Sequence, residues 1–212
     1  MDKATRLYLL RHGEVAVDYH RVFGGKIDMD LSPLGQTQAQ RLADTLQPVR
    51  FDRIYASPMK RAQQTLAPLA KSQAKEAVTL PDLREVDFGV WTGLGWEQVL
   101  ERHGLHATDW LHHLEEEAIR DGYTAATFRA RLEPCLQKII AETNGQTVAV
   151  VCHGGVIRMI LSLLLHLPLR KMAHFEIDYA SLTVVDLHSR RAEVQLLNFT
   201  PWRDLPAHLL KS

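Results

Sequence analysis

Short apolar runs along the chain alternate with longer segments in which apolar residues recur at helical spacing. Runs at Arg6–Leu10, Arg53–Ala56, about 79–80, Thr147–Cys152, Ser181–Leu187 and Glu193–Asn198 predict strands. Helical patterns begin at Ser32 ("SPLGQTQAQRLADTLQ"), Ser57 ("SPMKRAQQTLAPLAKS") and Gly154 ("GGVIRMILSLLLHL"). Both Ser-Pro steps predict helix starts, because serine accepts from the first free amides and proline at the first helical position loses no hydrogen bond. Strands alternating with helices imply an α/β fold, a three-layer sandwich on a mostly parallel sheet of about six strands. The last two strands flank "HSRRA" and predict a hairpin that supplies one antiparallel edge strand. Residues 86–141 break the alternation. They hold Trp91, Trp96 and Trp110, clustered histidines and "LEEEAIRDG", and predict a small helical insertion over the carboxyl ends of the strands. With 212 residues, the chain reads as one domain, 1–212, carrying that insertion.

Two of the apolar runs end alike. "LYLLRHGE" (Leu7–Glu14) and "VAVVCHGG" (Val148–Gly155) both run into His-Gly. Ligands of open parallel sheets bind outside the carboxyl ends of the strands, and Arg11, His12 and His153 stand at two such ends. "RIYAS" leads into a helix whose first turn carries Arg61. Gly154 and Gly155 open another helix, where missing side chains let its amides approach a ligand. Each of these residues alone is better explained as surface or packing. Together they describe an anion site, since burying several cations without an anion is costly, and arginine's planar fork suits phosphate or carboxylate.

Composition narrows the partner. There are 25 basic and 25 acidic side chains, and no Lys/Arg run tracks a nucleic-acid backbone. Cys135 and Cys152 make no disulfide framework and predict a reduced, cytoplasmic setting, with Cys152 an inert buried thiol. "MDKATRLYLL" is too charged and too briefly apolar for a signal peptide, and "MILSLLLHLPL" is too short to span a bilayer. A soluble intracellular protein is expected, with a small-molecule ligand, no nucleic acid, no membrane and no cofactor. A homodimer is the candidate assembly. His103, His106, His112 and His113 lack a further ligand in register and predict a solvated face, so no metal site is expected.

"LYLLRHGE", "ASPMKRAQQT", "LREVDFGVWTG" and "VAVVCHGG", in this order, resemble the histidine phosphatase (phosphoglycerate mutase-like) superfamily, from residue 6 to about residue 199. The chain is most similar to its alpha-ribazole phosphatase and broad-specificity members. The resemblance implies a phosphohistidine intermediate, with His12 as nucleophile, Arg11, Arg61 and His153 around the phosphate, and Glu85 in "LREVDFG" as general acid. The chemistry suits these residue types. A neutral imidazole attacks phosphorus and splits one displacement into two. Cationic side chains and helix amides stabilise the transferring group without a metal, and a carboxyl beside bound phosphate more readily keeps the proton that a leaving alkoxide needs.

The resemblance adds Gly154, Asp18 and Gly25 to the substrate-binding set. Asp18 stands where many relatives have an asparagine, and Val15 where they have a threonine; Gly24-Gly25 and Gly122-Tyr123 replace a polar-Gly pair and a Gly-Glu step. These departures surround the non-phosphate part of the substrate. A metal-independent phosphomonoester hydrolase is the leading expectation. A phosphoglycerate mutase is the alternative, but it needs extra basic residues and a closed lid, whereas the insertion carries Glu115, Glu116 and Glu117. A non-catalytic phospholigand binder ranks last because His12 and Glu85 are both present.

Overall fold

The computed structural model describes residues 3–205, so the two ends of the expected 1–212 domain lie outside the described residues. Six strands form one sheet: β1 (Thr5–Arg11), β2 (Arg53–Ala56), β3 (Val78–Thr79), β4 (Thr147–Cys152), β5 (Leu182–Leu187) and β6 (Ala192–Phe199). Their order across the sheet is β3-β2-β4-β1-β5-β6. The first four run parallel, β5 lies antiparallel on β1, and β6 closes the edge by pairing antiparallel with β5. The expected hairpin is present, and its strand β5, one in from the edge, is the one that runs against the parallel set. Observed strand ends differ from the expected ones by a residue or so.

Two-sided burial explains the near-continuous apolar runs. Along β1, Leu7 and Leu9 enter one core while Leu10 enters the other. On β4, Val148, Val150 and Cys152 alternate in the same way with Ala149 and Val151. Helices α1 (Pro33–Leu46) and α2 (Lys60–Gln73) cover one face, and α5 (Ala125–Glu142) and α6 (Gly154–Leu165) the other. In chain order, α3 (Trp96–His103) and the short α4 (Trp110–Glu115) come between α2 and α5; α7 (Pro201–Asp204) follows β6.

Two expectations change. The second Ser-Pro step does not start a helix, because α2 begins at Lys60 with Met59 at its cap and no side-chain cap bond. The insertion is shorter than 86–141. Helix α5 buries Phe128, Leu132, Leu136 and Ile139 in the sheet core, and so serves as the helix that returns the chain to β4. The covering part comprises α3, α4 and their loops. Among the described residues no helix is long and apolar enough to cross a membrane.

The chain leaves β1 toward the α1 face and β4 toward the α6 face, and these strands are neighbours with Arg11 opposite Cys152. A crevice opens where adjacent parallel strands part in this way.

Candidate active site

His12 follows β1 and His153 follows β4, so strand register brings the two imidazoles side by side, 5.2 Å between ring centres. Arg61, in the first turn of α2 and only 2% exposed, points its Nε between them, 3.2 Å from His12 Nε2 and 3.2 Å from His153 Nδ1. Its Nη1 donates to Ile27 O at 2.7 Å and its Nη2 to Gly25 O at 3.2 Å. Gly25 holds φ +44°, backbone that favours glycine and turns this carbonyl toward the guanidinium.

These contacts assign the protons. Both nitrogens facing Arg61 must accept, so His12 carries its proton on Nδ1 and donates it to Gly13 O at 2.8 Å. His153 carries its proton on Nε2, 2.8 Å from the buried Ser57 Oγ. Burial, and then the charges of Arg61 and neighbours, hold both imidazoles well below the usual histidine range. Both rings are neutral, and His12 presents an unprotonated nitrogen. Burial also lowers Arg61 from its usual range.

Arg11 forms the next wall, donating from Nη1 to Ile177 O at 2.5 Å and stacking over Tyr179 with 4.1 Å to the ring centre. Arg158, one turn into α6, donates from Nη2 to Phe175 O at 3.1 Å. Each of the three arginines thus donates to a backbone carbonyl, Arg61 also to the two imidazoles, and among the described residues none pairs with a carboxylate. Arg11 Nε and Arg158 Nε are buried with no hydrogen-bond partner at all. Half-buried Glu85 completes the ring, its Oε2 accepting from Gly155 N at 3.2 Å and its Oε1 from Val86 N at 3.0 Å. The crevice, ≈ 270 Å³, is closed on the apolar side by Phe23, Phe88, Trp96 and Trp110. Such a pocket offers donors for an oxyanion group, with an unprotonated ring nitrogen on one side of it and a carboxyl group on the other.

Arg11, His12, Gly25, Arg61, Glu85 and Gly154 line this one crevice, and His153 lies directly beneath Arg61. Asp18 does not join them. It is exposed in the single helical turn Val17–Tyr19, and the side chain that this turn sends to the crevice is Tyr19. A residue set at that point from motif spacing faces solvent because the turn rotates it outward. Sequence reasoning passed over Arg158, Tyr179 and Ser57. Arg158 had a legible signal as the single charged residue of α6. Trp91 is buried against Phe23, while Phe88 packs edge-on to Trp110 and walls the crevice. The Cys152 thiol is fully buried, and burial pushes it up out of reach of ionisation.

Residues 7–200 match the histidine phosphatase superfamily (branch 1). The chain belongs to that superfamily. It is a phosphatase of the histidine type, and curated relatives carry phosphatase names. Phosphoserine phosphatase 1 of Hydrogenobacter thermophilus is 31% identical over 92% of this chain and 93% of its own length. Adenosylcobalamin/alpha-ribazole phosphatase of Escherichia coli is 26% identical over 91% and 95%. Among solved structures, this histidine phosphatase superposes on a mycobacterial glucosyl-3-phosphoglycerate phosphatase with TM-score 0.82, 27% identity, and 92% and 99% of the two chains covered.

Proposed function

We propose that this phosphatase hydrolyses small phosphomonoesters in two displacements, through a phosphohistidine on Nε2 of His12. The observation that carries the reading is the neutral His12 ring. Its proton is committed to Gly13 O, and its free Nε2 faces the crevice between Arg61 and the buried His153.

In the first step the lone pair of Nε2 attacks phosphorus and the P–O bond to the leaving group breaks. Glu85 gives its proton to the departing alkoxide, so the alcohol leaves neutral. In the second step Glu85 takes a proton from water as its oxygen attacks phosphorus, the N–P bond breaks, and phosphate and free His12 result. Arg11 and Arg61 hold the equatorial oxygens in both steps, and Gly154 and Gly155 offer the amides of α6. Positive charge from side chains already in place makes a metal ion unnecessary for this chemistry, and activity should persist in EDTA. The names of the relatives give the first substrates to assay: phosphoserine, alpha-ribazole phosphate and phosphorylated glycerates.

The direct test is rapid quenching with a phosphate-labelled substrate. Acid-labile label should accumulate on the protein, and His12→Ala should abolish both label and turnover. Label on a serine or cysteine would overturn the mechanism. Transfer of the label to a second hydroxyl of the substrate, with no phosphate released, would point to the mutase instead.

A further inference from the structure

The two steps above give Arg158 nothing to do. Phe175 O and Gly154 O, at 3.1 and 3.4 Å, are the only acceptors its guanidinium reaches among the described residues, and its Nε is buried without a partner. Holding a carbonyl needs a donor, not a cation, and a neutral amide would serve without the cost of burying a charge. The cation also has an unfavourable neighbour. A Cβ on Gly154 would stand 3.3 Å from Arg158 Nη1 and 3.4 Å from Arg11 Nε, so two guanidinium groups flank the same bare glycine. Burial, and then Arg11, push Arg158 down to about 10. Arg11 links two poles of the crevice. Arg61 lies toward His12, and Arg158 toward the Phe175–Ile177 loop.

We propose that Arg11 and Arg158, facing each other across Gly154, hold a second anionic group of the substrate, a carboxylate carried close to the phosphate ester. The inference rests on the phosphatase reading and extends it to a substrate class: compact phosphorylated acids. A planar monoanion suits this cleft better than a second phosphate. Two guanidinium edges offer parallel donors to a carboxylate. Exposed Glu176 at the rim, with Asp178 behind it, would repel a dianion more strongly. The hydrogen bonds to Asp178 Oδ2 come from Arg203 and Asn198 and not from Arg158.

The test compares 3-phosphoglycerate with glycerol 3-phosphate, which carries CH₂OH in place of the carboxylate. The unaltered enzyme should prefer the acid by about 10- to 100-fold in kcat/KM, chiefly through KM, as expected for charge-assisted hydrogen bonds. Arg158→Gln should remove most of that preference, and Arg158→Lys should restore part of it. Calorimetric binding of the same pair to His12→Ala gives a readout independent of turnover; there too the acid should bind more tightly, and the added Arg158→Gln should erase the difference. An unaltered enzyme with no preference, or a preference surviving Arg158→Gln, overturns the second subsite. Turnover of 4-nitrophenyl phosphate with labelled His12 reports separately on the phosphatase reading, so the two failures are distinguishable.

Discussion

Gly155 lacks a side chain where Glu85 needs the room. A Cβ there would stand 2.5 Å from Glu85 Oε1 and 3.2 Å from Trp110 Cη2. The carboxyl end is flexible and would give way, so Gly155→Ala should fold normally, with a melting temperature close to that of the parent. Its turnover of alkyl phosphates should nevertheless fall at least tenfold, because Glu85 is displaced. Glu85→Gln isolates the proton itself. General acid catalysis is worth about 10²–10⁴-fold, and a loss of that order is expected in single-turnover cleavage of an alkyl phosphate. The pre-steady-state burst from 4-nitrophenyl phosphate should be affected far less, since nitrophenolate leaves unaided. Equal losses on both would remove Glu85 from the role. Asp87 is no ready substitute, as its oxygens hold Gly89 N and Lys26 Nζ. At this scale His12, Arg61 and Glu85 were legible in motifs, because each follows a strand or loop of recognisable pattern. Tyr179 was not, because an irregular loop places it over Arg11.

Two Ser-Pro steps identical in sequence do different work in their elements. Ser32 caps α1, its Oγ accepting from Gly35 N at 2.9 Å and donating to Glu14 Oε1 at 2.7 Å. Ser32→Ala should therefore cost about 1 kcal/mol of stability and change turnover little. Ser57 leaves α2 uncapped and instead accepts the Nε2 proton of His153. Ser57→Ala would strand a buried donor, at about 1–3 kcal/mol, and free His153 to take the other tautomer, whose protonated Nδ1 would point at Arg61. Chemical denaturation should thus show both variants destabilised, and only Ser57→Ala should lose most of its kcat. Propensity alone cannot separate the two serines; His153, which follows β4 and lies 96 residues along from Ser57, decides. Helix α5 is ambiguous in sequence for a related reason. Its pattern is helical, but only packing against the sheet distinguishes a crossover from a lid.

For the whole molecule, charge balance conceals strong local fields. The chain has no net formal charge, yet its crevice gathers three guanidiniums, none of them paired with a carboxylate among the described residues. Acid should therefore weaken the fold through His12 and His153. Both are neutral when folded, with proton affinity well below the ordinary value of 6.5, so the unfolded chain binds more protons once pH falls below about 6.5. Their contribution to stability is complete above that pH and is lost progressively below it, each histidine giving a slope of at most about 1.4 kcal/mol per pH unit. Denaturant midpoints from pH 7.5 to 5 should fall more steeply for the parent than for His12→Gln. A parallel decline in both would mean the buried imidazoles do not govern acid stability. The α/β alternation was readable because the central strands β1, β2 and β4 are largely buried and apolar, whereas the sheet order depends on β4 pairing with strands 95 or more residues earlier in the chain. That order bears on how the protein is made. Strand β4, the fourth to leave the ribosome, fits between β2 and β1, and its six residues also deliver His153 to the crevice. Until they emerge, the two earlier strands have no partner for their facing edges, so a growing chain carries sticky, unpaired backbone; one insertion covers both edges and sets His153 beside His12.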